Sequence, residues 1–328
     1  MTTASLKRLL QFGLSLGLLA MVFLIVDLRA TFAELRHASV AWVVVGLAFT
    51  VLSRVLMAYK WNLLLRAKGH VVSHLEVIRL YYVSSFLGLL LPSTVGSDVA
   101  RAMLLRDDDR TMSEVVSSII VERLLGLVML ALAALPTGVI LVGMTVDSAV
   151  PGWVVIGVPG ALLLGSLAAI LLSLTDRAHR LASGLTARLE SGRLKVAGQQ
   201  LQRLFDSYRD YRDHRGTLAV FCLLTGLEIA TVAGWYYAAA RSVGVDVPIL
   251  QFALVVPVIT VLVRLPISLA GLGVMQGAFV FFLGLLGVPP EQGLATGLVA
   301  QALATVAVLP GGAMYGLLPR YRRRTELA

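Results

Sequence analysis

Several long apolar stretches constrain the fold of this chain more than any other feature of its sequence. A helix of about 20 apolar residues spans the hydrocarbon core of a bilayer, where only internally hydrogen-bonded helices and closed barrels are stable. The sequence contains about six such stretches. They cover residues 9–26, 40–59, 114–135, 153–174, 217–240 and 293–318. We therefore expect an all-α polytopic membrane protein with about six full spans.

The composition agrees with a membrane location for most of the chain. Charged residues make up 14% of it and hydrophobic residues 58%, whereas soluble proteins contain about 25% charged residues. These proportions exclude an ordinary water-soluble enzyme and a disordered chain. The net charge is +9, but no basic segment carries a nucleic-acid-binding motif, so we expect no nucleic-acid partner. Basic loops that face anionic lipid headgroups explain the charge.

Two further apolar stretches, residues 75–105 and 249–287, are interrupted near their centres. The residues expected to break the helices are Pro92, Gly96, Pro266, Gly271 and Gly273. Each flanking arm has about 13–17 residues, which is short for an independent span. Backbone breaks at membrane depth occur only where protein or a water-filled cavity satisfies the freed polar groups. We therefore predict two broken or re-entrant hairpins, and arms that cross the membrane fully are the alternative.

The distribution of Lys and Arg predicts the orientation of the chain. If each broken stretch enters and leaves on one side, the segments on the side of the N-terminus hold 21 Lys and Arg residues and the opposite segments hold 3. This count places Lys60 and Arg101 in loops. Because Lys and Arg concentrate in cytoplasmic loops of membrane proteins, both termini are expected in the cytoplasm.

A short pattern recurs in the two halves of the chain and predicts an internal repeat. Segment 66–69 (RAKG) ends 23 residues before Pro92, and segment 241–244 (RSVG) ends 22 residues before Pro266. Because the second broken stretch enters from the opposite side, the repeat is predicted to be inverted, as in many transporters. The expected organisation is a single transmembrane domain over 1–318, with a first repeat over about 40–140, a connector over 176–215, a second repeat over about 216–318 and a basic cytoplasmic tail over 319–328.

The connector, residues 176–215, is the one substantial polar segment between the predicted spans. Apolar residues recur in it at helical spacing, which favours an amphipathic helix on the cytoplasmic membrane surface. A plain linker between the halves is the alternative.

Ionisable residues inside apolar stretches are costly in a membrane and mark functional sites. Four of them, Arg54, Glu76, Arg79 and Glu114, lie near the ends of predicted helices, where we expect their side chains to reach the headgroups. A second group lies deeper or beside the interruptions. Its members are Asp98, Arg101, Glu122, Arg123, Glu228 and Arg264. They are predicted to bind substrate, and structural ion pairs that cap or join helices are the alternative.

The second group predicts an anion-binding pocket near the centre of the membrane. A helix that begins after Gly96 directs free N–H groups and the positive end of its dipole into the protein. The guanidinium groups of Arg101, Arg123 and Arg264 match phosphate oxygens. The carboxylates either hold these arginines in the empty site or contact a cationic part of the substrate. The histidines lack the spacing of metal ligands, so we expect no metal and no cofactor.

Three segments carry a family resemblance: 91–101 (LPSTVGSDVAR), 121–126 (VERLLG) and 266–273 (PISLAGLG). Their order and spacing resemble the flippase-like transmembrane domain of the lysylphosphatidylglycerol synthase family. The resemblance implies a protein of the prokaryotic cytoplasmic membrane that moves a phosphate-bearing lipid, such as an aminoacyl-phospholipid or a polyprenyl-linked lipid. It extends the predicted substrate site to Ser268. It also draws attention to Gln276, which stands where the family often has an acidic residue that would contact a cationic headgroup.

The leading functional hypothesis is a lipid translocase that acts as a flippase or scramblase through a pocket near the membrane centre. The soluble aminoacyl-transferase domain of the full synthase is missing, so we expect transport rather than enzymatic chemistry. A transporter of a small anionic solute is one alternative, and a membrane scaffold or partner of a lipid-biosynthetic enzyme is another. A membrane transferase that uses the acidic run 107–109 is a third.

Overall fold

The computed structural model describes residues 20–22, 24, 26–90, 96–105, 112–144, 152–174, 210–265 and 271–316. These residues form eleven α-helices and contain no β-strand. In chain order, α1 to α11 are Leu28–Arg36, Val40–Ala67, His74–Leu90, Gly96–Leu105, Met112–Met144, Val158–Leu174, Arg215–Ser242, Ile249–Arg264, Val274–Gly284, Pro290–Val308 and Pro310–Tyr315. A π-helical turn at Trp153–Gly157 precedes α6, and a 3₁₀ turn at Asp210–Asp213 precedes α7. The predicted all-α fold is confirmed.

Four helical segments among the described residues are long and apolar enough to cross a bilayer. They are Val40–Ala67, Ser113–Gly143, Arg215–Ser242 and Pro290–Tyr315. These segments coincide with four of the predicted spans and identify an integral membrane protein. The predicted span 9–26 lies mostly outside the described residues. The predicted span 153–174 consists of the π-helical turn and α6, which has 17 residues.

Each of the two interrupted stretches forms a pair of short helices. α3 packs against α4 in the first stretch, and α8 packs against α9 in the second. Pro92 and Pro266 lie outside the described residues, whereas Gly96 is the first residue of α4. Gly271 and Gly273 lie between α8 and α9 with φ angles of 77° and 80°, which glycine adopts without strain. The re-entrant path of these helix pairs stays a prediction.

The two short segments that predicted a repeat end corresponding helices in the same way. α2 and α7 have 28 residues each. Beyond them, Gly69 and Gly244 adopt positive φ angles of 77° and 79°. Each glycine donates its N–H to the carbonyl of the arginine three residues earlier, Arg66 at 2.9 Å and Arg241 at 3.3 Å. In both halves a short helix pair and then a long helix follow, so the halves share a helix order, while their inverted orientation stays a prediction.

The predicted connector and tail fall largely outside the described residues. Within 176–215, the structure describes only the last few residues, and 319–328 is not described. Tyr211, near the end of the connector, donates its hydroxyl to the carbonyl of Leu64 at 3.0 Å and lies in a buried cluster with Phe221. This end of the connector is therefore fixed to α2 and α7.

The contact between α2 and α7 is the most extensive between any two described helices and joins the two halves. The largest buried apolar cluster lies mainly in the second half and includes Phe252 of α8 and Phe279 of α9. Apolar side chains also cover the outside of the bundle, such as Leu52 and Leu223 on the two joined helices. An apolar exterior of this kind suits contact with lipid chains.

Candidate functional site

A cavity of about 520 Å³ lies between the two halves of the helical bundle. α2, α3, α5 and Ser97 of α4 form its wall from the first half, and α7, α8 and α10 form most of the wall from the second. The charged residues of the wall are Arg54, Lys60, Glu122, Arg123, Glu228 and Arg264. Leu89, Leu127 and Val308 supply part of its apolar surface. A mixed polar and apolar cavity of this volume is suited to part of a small ligand or a lipid headgroup.

Arg101, on α4, is almost completely buried, with 2% of its side chain exposed. Its Nη2 lies 2.7 Å from Oε2 of Glu122 and 3.3 Å from Oδ1 of Asp98. Its guanidinium carbon lies 4.4 Å from the ring centre of Trp61 and 4.9 Å from that of Tyr81, so two aromatic faces also stabilise the charge. Arg101 thus joins α2, α3 and α5 at one point, and its earlier assignment to a loop is wrong because α4 is buried in the bundle.

Arg123, on α5, connects this buried network to the cavity. Its Nε and Nη2 donate to the two carboxylate oxygens of Asp98 at 3.0 Å and 2.8 Å, a bidentate pair. The side chain remains 48% exposed and forms part of the cavity wall. Asp98 therefore bridges Arg101 and Arg123, and the guanidinium of Arg123 keeps one edge toward the cavity.

Lys60 is a member of the site that the sequence analysis placed in a loop. α2 continues to Ala67, beyond the predicted end of the span, so only 3% of the Lys60 side chain is exposed. Its ammonium forms an ion pair with Glu228 and donates to Oγ1 of Thr225 at 3.0 Å. The sequence did hold a signal for this residue. Glu228 lies in the middle of a predicted span, and a carboxylate there requires a basic partner.

Glu228, on α7, links Lys60 of the first half to Arg264 of the second. Nη2 of Arg264 donates to Oε1 of Glu228 at 3.2 Å, and 30% of the arginine side chain is exposed. A Cβ atom added at Gly126 would lie 3.8 Å from Nη1 of Arg264. Gly126 follows Arg123 by one turn of α5, so Arg264 lies beside the same face of that helix.

Arg54 also lines the cavity, and its expected position at a helix end is wrong. It lies near the middle of α2, and its Nη1 donates to Oγ of Ser85 at 3.4 Å. The helix extends beyond the predicted end of the span, which places this residue deeper than expected. Glu76 and Glu114 lie in the first turns of α3 and α5 as expected, and Arg79 is exposed.

The remaining predicted substrate residues lie away from the cavity wall or outside the described residues. Gln276 is buried at the start of α9, where its Oε1 accepts the N–H of Gly273 at 2.8 Å and caps the helix. Its neighbour Met275 contributes to the cavity wall instead. Ser268 lies outside the described residues. A role for these two predicted residues in substrate binding stays a prediction.

Two uncharged residues of the cavity wall carry buried polar atoms without a hydrogen-bond partner among the described residues. They are Nε1 of Trp235, a donor, and Oε1 of Gln301, an acceptor. Buried polar atoms are usually paired, because an unpaired one costs about 1–3 kcal/mol. Neither residue is among the predicted site residues, because neither carries a charge. A ligand or water in the cavity would satisfy them.

The arrangement as a whole is suited to binding a charged group inside an apolar bundle. Within the part of the chain that the structure describes, no three His, Cys, Asp or Glu side chains are placed to hold a metal ion. The ionic groups instead form two networks, one centred on Asp98 and one centred on Glu228.

Residues 8–312 match the family described as the lysylphosphatidylglycerol synthase TM region. The match includes both interrupted stretches and every charged residue of the cavity wall. No curated protein matches the chain. The family is a membrane domain associated with lipid handling, which agrees with the apolar helices of this fold. The chain therefore belongs to the family of lysylphosphatidylglycerol synthase transmembrane regions.

Proposed function

We propose that this protein is a lipid translocase, of the flippase or scramblase type, that moves a phosphate-bearing lipid through the cavity between its two halves. One observation carries the proposal: four basic side chains lie on the wall of a cavity inside an apolar helical bundle. They are Arg54, Lys60, Arg123 and Arg264. Charges at such depth are costly unless they serve a ligand or a partner, and guanidinium groups bind phosphate oxygens at two points.

The ion pairs of the cavity suggest how the empty site is kept stable. Asp98 and Glu228 neutralise part of the charge on Arg123 and Arg264 while the remaining edges of both arginines face the cavity. A phosphate that binds these edges supplies oxygen acceptors for their free N–H groups, and neither ion pair has to break first. The acyl or prenyl chains of the lipid remain in the bilayer beside the apolar exterior, so only the headgroup crosses the protein.

The shared helix order of the two halves supports a transport cycle without covalent chemistry. Inverted repeats expose a central site to one side of the membrane at a time when one half moves against the other. We propose that the two short helix pairs, α3–α4 and α8–α9, make this movement around the contact between α2 and α7. Both pairs also contact the opposite half, α3 through α11 and α8 through α5, so this movement would change those contacts. The protein is then a transporter rather than an enzyme.

The proposed location is the prokaryotic cytoplasmic membrane, with both termini in the cytoplasm. Lys60 and Arg101 are buried and do not belong to loops. Without these two, 19 of the 21 basic residues remain on the proposed cytoplasmic side. The asymmetry against 3 on the opposite side persists. This distribution supports the proposed orientation.

Mass spectrometry of the lipids retained by the gently purified protein tests the proposal. We expect selective enrichment of a phosphate-bearing lipid on the wild type and its loss from Arg123→Ala. The matched control is Arg79→Ala, since Arg79 is an exposed arginine of α3 that does not line the cavity. Bulk membrane lipids in all three samples would contradict the proposal. Retention of a small anionic metabolite without lipid would favour a solute transporter instead.

A further inference from the structure

Every carboxylate in the ionic networks of the cavity is already paired with a base. Asp98 accepts from Arg101 and Arg123, and Glu228 pairs with Lys60 and Arg264. Glu122 lies 2.7 Å from Nη2 of Arg101 and accepts the hydroxyl of Tyr81 at 3.4 Å. Among the described residues of these networks, every carboxylate already lies within ion-pair distance of a base, and Oε2 of Glu122 is the one buried carboxylate oxygen without a hydrogen-bond partner.

The bases outnumber the acids in the same region. Five basic side chains lie in the networks or the cavity wall, against three acidic ones. The bases are Arg54, Lys60, Arg101, Arg123 and Arg264, and the acids are Asp98, Glu122 and Glu228. Arg54 donates to a hydroxyl, that of Ser85, and has no carboxylate partner in the described part of the chain. The region therefore carries a net positive charge before a ligand enters.

Arg123 and Arg264 both line the cavity, and each keeps a guanidinium nitrogen outside its ion pair. Arg123 uses Nε and Nη2 on Asp98, and Arg264 uses Nη2 on Glu228. Nη1 of Arg264 lies beside Gly126, one turn along α5 from Arg123. Gly126 has no side chain that could cover this nitrogen.

We infer that the cavity selects an anionic lipid headgroup that has no ammonium group, bound by Arg54, Arg123 and Arg264, and rejects the aminoacylated form of the same lipid. This inference rests on the proposed function and specifies its substrate. An ammonium group in this cavity meets uncompensated positive charge and only carboxylates that already pair with bases, so its desolvation is not repaid. A phosphodiester without an amine carries only negative charge, which the free guanidinium groups stabilise.

A transport assay with two lipids that differ only in the amine tests the inference. The full-length protein is reconstituted in vesicles that contain acyl-chain-labelled phosphatidylglycerol or acyl-chain-labelled lysylphosphatidylglycerol, and movement between leaflets is followed by chemical quenching of the label. We expect the initial rate for phosphatidylglycerol to be at least tenfold higher. Competition by soluble glycerol phosphate, at concentrations that leave vesicles intact, shows whether a free anion takes the same site.

A charge-only substitution in the cavity wall sharpens the test. Gln301→Glu adds a carboxylate at an atom that already lacks a partner, with almost no change of shape. We expect this substitution to reduce the ratio of the phosphatidylglycerol rate to the lysylphosphatidylglycerol rate, because the new carboxylate can pair with the ammonium group. The control is Gln251→Glu, the same change at an exposed residue of α8 outside the cavity wall, and it should leave the ratio as in the wild type.

The outcomes separate the inference from the proposed function. Equal rates for both lipids, or a faster rate for the lysyl form, overturn the inference while translocation stands. Movement of neither lipid overturns both the inference and the proposed function. If the vesicles take up glycerol phosphate while neither lipid moves, the protein is a transporter of a small anionic solute. The wild-type ratio decides the inference even if Gln301→Glu fails to fold.

Discussion

The two interrupted stretches have the same pair of short helices, but they bury different kinds of side chain. In the first, Asp98 and Arg101 of α4 form a charged network with Glu122 of the neighbouring α5. In the second, α8 and α9 bury mainly apolar side chains, such as Ile259 and Phe279. The first helix pair thus adds a buried charged network to the apolar packing around it, whereas the second pair buries mainly apolar side chains.

The difference is clearest at one pair of positions. The separation of 175 residues between Gly69 and Gly244 also relates Arg101 to Gln276. Both side chains are buried, each on the second short helix of its pair. Arg101 contacts charged groups on two helices, whereas Gln276 makes one local bond to Gly273. A common helix order therefore accommodates a polar position in the first half, Arg101, and a corresponding uncharged position in the second half, Gln276.

The largest effect is expected from removing the central cation of the network in the first helix pair. Arg101→Met leaves Glu122 buried without its base, and breaking a buried pair in this way costs about 3–5 kcal/mol. The free energy of unfolding in detergent micelles, followed by tryptophan fluorescence, measures the loss. Replacing both partners, in Arg101→Met with Glu122→Met, should cost less than the single change. A double variant as unstable as the sum of the two singles would show that the ion pair does not stabilise the fold.

A smaller effect is expected at the ion pair that joins the two halves. Lys60→Met removes one of the two bases of Glu228 and leaves Arg264 in place. Loss of hydrogen bonds to a charged group costs about 1.5–3 kcal/mol. The same unfolding measurement checks the value. Adding Glu228→Gln to Lys60→Met should recover part of the lost free energy of unfolding. If Lys60→Met is as stable as the wild type, the junction between α2 and α7 depends on apolar packing alone.

The sequence alone predicted the membrane fold, the interrupted stretches and the residues Asp98, Arg101, Glu122 and Arg123 that the structure brings together. These predictions succeed because apolar length and charge at depth are local properties of a sequence. The depth of Arg54 and the burial of Lys60 were not predicted, since both depend on where α2 ends. The uncharged cavity residues were not predicted either, because only the packing of distant helices shows that their polar atoms lack partners.

A still smaller effect is expected in the second half, at the position that corresponds to Arg101. Gln276→Leu removes the acceptor for the N–H of Gly273 at the start of α9. Loss of a helix cap of this kind costs about 0.5–2 kcal/mol. Unfolding free energies of Gln276→Leu and Arg101→Met, measured side by side, test the contrast between the halves directly. Equal losses at the two positions would remove the distinction between the charged and the uncharged position.

The smallest effect on stability is expected at the cavity wall itself. Gln301→Leu replaces a side chain whose buried Oε1 has no hydrogen-bond partner in the described part of the chain, so the fold loses no bond there. Because removing an unpaired buried polar atom is nearly neutral, the unfolding free energy should stay within about 0.5 kcal/mol of the wild type. Lipid retention should nevertheless fall, because the proposed headgroup site loses a polar contact. A residue that costs the empty protein nothing to replace but weakens lipid binding serves the ligand rather than the fold. Unchanged retention by Gln301→Leu would instead assign this part of the wall to packing and leave binding to the arginines.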